Sequence, residues 1–170
     1  MPTKRTAPTP VTSDRTAAID DLLALDQQVC YALSVASRTV IGLYRPLLEP
    51  MNLTHPQYLV MLALWEEAPL KANVIARKLQ LQPATLSPLL KRLEASGYIR
   101  RDRDPRDDRA LAIDLTERGR LLRNDAVAIP PAIIQSLGMP VEELVDLHAR
   151  LLQVIAAATE APKPVATTRS

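Results

Sequence analysis

Apolar residues at Val29, Leu33, Ala36, Val40, Leu43 and Leu47 recur at alternating steps of four and three, the seam of a helix that lies along another helix. A second stripe runs beside it at the same steps: Cys30, Ser34, Ser37, Ile41 and Tyr44. This first helix ends near Pro50. Thr54 and Gln57 then have capping-box spacing ahead of the apolar run YLVMLALW, which places a second helix there. LKANVIARKLQ reads as a short third helix. In LQPATLSPLLKRLEASG, Pro83 suits a first helical position, Leu86, Leu89, Leu90 and Leu93 form one face, and Gly97 supplies a left-handed stop. The period then changes to two. YIRRDR and ALAIDLT predict two short strands around the charged tip DPRDD, after which Thr116 caps a further helix. A final helix over 141–160 carries Leu144, Leu147, Leu151, Ile155 and Ala158 on one stripe. The predicted order is four helices, a hairpin and two helices, with no internal repeat.

The two ends differ from the middle. Residues 1–16 and 161–170 are rich in Pro, Thr and charge and too poor in apolar groups to order themselves, so both are expected to be disordered tails. Residues 17–160 are expected to form a single domain, because 170 residues hold one proper core and little more. One cysteine cannot form an intrachain disulfide, which fits a reducing compartment. No apolar leader and no membrane-length apolar run occurs, so a cytoplasmic protein without membrane contact is expected. There is no Gly-rich phosphate loop, no metal-ligand spacing and no nucleophile–base pair, so we expect neither an enzyme nor a metal or cofactor site, and no catalytic residue.

Net charge says little, with 21 basic against 19 acidic residues. Its distribution says more: across residues 71–101, Lys71, Arg77, Lys78, Lys91, Arg92, Arg100 and Arg101 are opposed only by Glu94. A short helix, a tight turn, a helix opening with small polar residues and a charged hairpin are the layout of a winged helix-turn-helix, which lays its second helix in the DNA major groove. The expected fold is therefore mainly α with a small β-hairpin: a DNA-binding core over about 54–116, with dimerisation helices over about 22–50 and 117–160. The long apolar stripes at both ends exceed what so small a winged domain can cover, which points to a homodimer.

The segment TLSPLLKRLEASGYIRRDRDPRDDRALAIDLTERGR resembles the DNA-binding core of the MarR family of dimeric bacterial repressors, whose hairpin carries D-x-R followed by L-T-x-x-G. Upstream, LDQQVCYALSVASR, LYRPLLEP and LTHPQYLVMLALWEE resemble the OhrR branch of that family, which senses organic hydroperoxides. The resemblance covers about Leu25 to Pro131. It implies Arg109 in the minor groove with Asp107 pinning it, while the two-fold symmetry of a dimer predicts a pseudo-palindromic double-stranded operator. On the fourth helix, Thr85, Ser87, Lys91 and Arg92 lie off the leucine face, where hydroxyls and cations suit phosphates and base edges. Glu94 reads as scaffold. Gln82-Pro83-Ala84-Thr85 replaces the D-S-G-T usual in the branch.

The resemblance also makes Cys30 a redox-sensing thiol. In the branch three tyrosines surround the cysteine; here Tyr44 is kept, while Ser34 and His55 stand at the other two positions. Fourteen helical residues span about 21 Å, so Cys30 cannot touch Tyr44 of its own chain. An antiparallel crossing of two first helices near Ser37 would bring Cys30 to the Tyr44 hydroxyl of a second copy. Ser34 can donate a hydrogen bond from one turn away, and His55 can donate or carry charge. Two expectations stand side by side: a repressor released by oxidation of Cys30 and a small capping thiol, or one released by a small apolar or phenolic inducer in the dimer cleft, with Cys30 structural.

Overall fold

A computed structural model describes the backbone of residues 23–104 and 107–161, and side chains there outside 103–111. The expected tails, Ala161 apart, lie outside the described residues. The chain divides into two compact units, residues 1–55 and 56–170.

The first unit is dominated by one helix, α1 (Val29–Leu48), preceded by a 3-10 turn (Leu25–Gln27) and followed by another (Glu49–Met51). The helix stops where Pro50 cannot continue it, and Asn52 takes a left-handed conformation at φ 52°, so that the Leu53 amide returns to the Leu48 carbonyl at 3.2 Å. Only Leu48 of this helix is buried. The predicted apolar seam is largely uncovered: Val29 and Leu33 are exposed, and Val40, Leu43 and Leu47 are half-buried.

The second unit is built around α2 (His55–Glu66), in which Tyr58, Val60, Met61, Ala63 and Leu64 are all buried. Next come β1 (Leu70–Lys71), α3 (Ala72–Lys78) and α4 (Pro83–Ala95). Then follow β2 (Ile99–Asp104), β3 (Asp107–Leu115), α5 (Glu117–Ala126), α6 (Ile129–Leu137) and α7 (Val141–Glu160). The strands form an antiparallel sheet in the order β1-β3-β2. Its pairs include Leu70 with Ile113, Ile99 with Leu115, and Arg101 with Ile113. Leu64, Ile75, Leu86, Leu93, Ile99 and Ile113, each 2 % exposed or less, make up the centre of the core. Each such side chain contributes about 1.5–3 kcal/mol by leaving water.

Local signals held where they were strong. Pro83 opens α4 behind the N-cap Gln82, where a missing N–H costs nothing. Gly97 sits at φ 74°, and the Gly97 and Tyr98 amides bond back to the Glu94 and Leu93 carbonyls at 2.9 and 3.0 Å, the two bonds of a Schellman stop. Thr116 caps α5: its Oγ1 accepts from the Gly119 amide at 3.0 Å and donates to the Gly97 carbonyl at 2.6 Å. A Cβ at Gly119 would overlap the Tyr98 carbonyl oxygen, so the glycine lets α5 lie against the chain entering β2 after α4.

Three details differ from the sequence expectation. Leu70 and Lys71, read as the start of the third helix, form an edge strand against Ile113 and Ala112. The strand β3 begins at Asp107, ahead of the predicted Ala110. The hairpin is followed by three helices, because the chain breaks at Val127–Ala128 and restarts with Pro130 and Pro131 in the first turn of α6. The last helix spans 141–160 as predicted and buries none of its residues; Leu144 and Leu151 are half-buried, and Leu147 and Ile155 are exposed.

Candidate functional site

The leucine face of α4 fixes what its other face can do. Leu86, Leu90 and Leu93 are buried, so the helical period turns Thr85, Ser87, Lys91 and Arg92 outward, and all four are exposed. Asp107 and Arg109 fall at the start of β3, and their side chains lie outside the described residues.

The basic stretch is partly neutralised. Lys78 Nζ lies 3.1 Å from Glu66 and 3.4 Å from Glu67, and the hydrogen bond to Glu66 raises its pKa. Arg100 meets Asp114 at 2.6 Å and Asp102 at 3.1 Å. Arg101 meets Glu94 at 3.1 Å. Among the described residues of the stretch, Arg77, Lys91 and Arg92 are exposed and enter no ion pair. Uncompensated positive charge is therefore concentrated on α3 and α4, the elements a helix-turn-helix presents to DNA. The sequence counted Arg77 only as part of the basic stretch and did not name it as a DNA contact; its place in the last turn of α3, ahead of α4, is the signal that marks it.

Asp114 ties the sheet to α5. Burial alone raises its carboxyl, but the hydrogen bond from Arg100, the bond from the Leu115 amide and the charges of Arg100 and Arg120 outweigh burial, and its pKa lies below the ordinary value. Trp65 of α2 also reaches α5, donating to the Gly119 carbonyl at 2.8 Å.

The thiol residues fall into two places in the first unit. Cys30 is exposed in the first turn of α1, with exposed Ser34 one turn on. Tyr44 and His55 come together instead, their rings edge to face at 4.8 Å and 69°. The sequence named both residues without placing one against the other. Burial lowers the His55 pKa, which disfavours the charged imidazolium.

A cleft of about 360 Å³ opens in the second unit, lined by Tyr58, Leu62, Trp65, Arg123, Val127 and Pro130 among others. Among the described residues no cluster of His, Cys, Asp and Glu could hold a metal ion, and no helix is long and apolar enough to cross a membrane.

A MarR family model matches residues 53–111, the helix-turn-helix and most of the wing. The chain is 43% identical over 154 residues to the HTH-type transcriptional regulator TtmR of Methylorubrum extorquens (strain PA1), covering 84% of this chain and 76% of the relative. It is 39% identical to the organic hydroperoxide resistance transcriptional regulator of Bacillus subtilis (strain 168), covering 79% of this chain and 92% of that protein. Among solved structures, reduced AbfR bound to DNA superposes with a TM-score of 0.68 at 36% identity, over 84% of this chain and 99% of AbfR. CouR from Rhodococcus jostii RHA1 bound to p-coumaroyl-CoA superposes with a TM-score of 0.66 at 29% identity, over 84% and 99% of the two chains. Winged-helix architecture, an outward polar face on α4 and these relatives agree: the chain belongs to the MarR family of DNA-binding transcriptional regulators.

Proposed function

We propose that this regulator is a homodimeric repressor that leaves a pseudo-palindromic operator when an organic hydroperoxide oxidises Cys30. The observation that carries this reading is the Tyr44–His55 pair at the far end of α1 from the thiol. One chain cannot close such a site, since Cys30 and Tyr44 stand about 21 Å apart along the helix. An antiparallel α1 pair crossing near Ser37 closes it twice by symmetry, and the exposed apolar residues Val29 and Leu33 give that pairing a driving force. Tyr44 and His55 of one chain then offer hydrogen bonds to the Cys30 thiolate of the other, with Ser34 a turn away. Such donors raise the thiolate population. The thiolate attacks one peroxide oxygen, the O–O bond breaks, and an alcohol leaves as the sulfur becomes a sulfenic acid. With one cysteine per chain, a small thiol then caps the sulfur, or further peroxide over-oxidises it. The similarity to a regulator named for organic hydroperoxide resistance supports the same reading.

The DNA face of the proposal uses Thr85, Ser87, Lys91 and Arg92 in the major groove and Arg109, pinned by Asp107, in the minor groove. The test is operator release. Cys30→Ser should bind the operator like wild type and stay bound under an organic hydroperoxide that releases wild type. Equal release of both proteins, or of neither, removes Cys30 from the mechanism.

A second reading has its own observation. The cleft beside Trp65 and the likeness to CouR, solved with p-coumaroyl-CoA, favour an inducer that is a small apolar or phenolic molecule, with Cys30 structural. Release by such a ligand from Cys30→Ser as readily as from wild type would establish it.

A further inference from the structure

One charge stands where the sheet calls for an apolar residue. Alternation along β2 puts Ile99 and Arg101 on one face and Arg100 and Asp102 on the other. The first face is the core side: Ile99 is 2 % exposed, and Ile113, the register partner of Arg101, is 1 % exposed. The Arg101 side chain keeps 20 % of its exposure. Its Nε and Nη2 are closed off from solvent and have no hydrogen-bond partner among the described residues. Nε lies 3.1 Å from Glu94 Oε2 in the last turn of α4, so the contact is one of charge without hydrogen-bond alignment. A guanidinium held this way adds little to stability, and an apolar side chain of similar length would serve the core as well or better. Something other than folding accounts for it.

The pair spans a pivot. Between Glu94 and Arg101 the chain passes through Gly97 at φ 74°, the point at which the recognition helix ends and the wing begins. We propose that Arg101 is a positioning residue whose pairing with Glu94 sets the angle between recognition helix and wing, so that both reach one operator together. The inference rests on the family's DNA binding and is independent of how Cys30 behaves.

Glu94→Gln separates this role from simple electrostatics. Removing a negative charge beside DNA should tighten binding if charge alone counts; a lost positioning contact should weaken it. The probes are a duplex selected from a random pool by the wild-type dimer and a scrambled duplex of equal length. Positioning predicts that Glu94→Gln and Arg101→Met each lose about tenfold or more on the selected duplex and stay within about twofold on the scrambled one. The melting temperature of Arg101→Met should equal or exceed that of wild type, and the exchanged pair Glu94→Arg with Arg101→Glu should recover part of the loss. Unchanged or tighter selected-duplex binding by Glu94→Gln overturns the proposal. So does an equal loss on both duplexes, or a fall of about one in the salt slope of Arg101→Met, which marks a direct phosphate contact.

Discussion

Asp114 shows how one side chain ties stability to pH. Its carboxyl is held below the ordinary value although burial pushes the other way. The unfolded chain therefore binds protons on this group that the folded chain refuses, and its contribution is present above the ordinary carboxylate pKa and lost as pH falls through the folded one. Asp114→Asn should be less stable than wild type at neutral pH, with the gap closing below about pH 4; chemical denaturation across pH measures it. Little of this was legible beforehand, because Arg100, Arg120 and Asp114 meet only once the hairpin has closed. The same holds for Tyr44 and His55, brought together by the turn at Glu49–Met51, and for Lys78 with Glu66. Thr116 and Gly97, by contrast, act within a few residues of themselves, and the chain announces them.

Elements repeat the contrast. The recognition helix was readable because Pro83, the leucine face and Gly97 are three local signals that agree. The edge strand at Leu70–Lys71 was not, since two residues carry no period and their pairing partner lies some forty positions on. The break between α5 and α6 was missed because apolar residues run through it, although Pro130 and Pro131 mark the restart. The turn between α3 and α4 conceals a strained position. Gln80 sits at φ 51°, with its amide and that of Leu81 bonded to the Arg77 and Ala76 carbonyls at 3.2 and 2.9 Å. A side chain pays for that conformation and glycine does not, so Gln80→Gly should raise stability by about 1 kcal/mol. Thermal melts would register the gain, and a drop would mean that the Gln80 side chain holds something the backbone does not show.

At the scale of the whole molecule, apolar surface remains on both long helices. Val29 and Leu33 of α1 and Val145, Leu147, Leu152 and Ile155 of α7 are exposed, and a second copy with the same stripes is the partner such surfaces suit. A dimer so formed should protect half-sites centred about 34 Å apart, and footprinting of a single isolated half-site would contradict it. Arg109→Ala should weaken operator binding strongly with little change in melting temperature, since a wing residue has few folding contacts and many in a minor groove; unchanged affinity would remove the wing from recognition. The joint at the wing's root gives the protein a further property. Thr116, Gly119 and Tyr98 fasten the hairpin at its base, so mutations accumulating toward the tip leave that fastening intact. Descendants of this sequence can acquire new operators by changes on the exposed face of α4, as Gln82–Thr85 already departs from the branch, while inheriting the same scaffold.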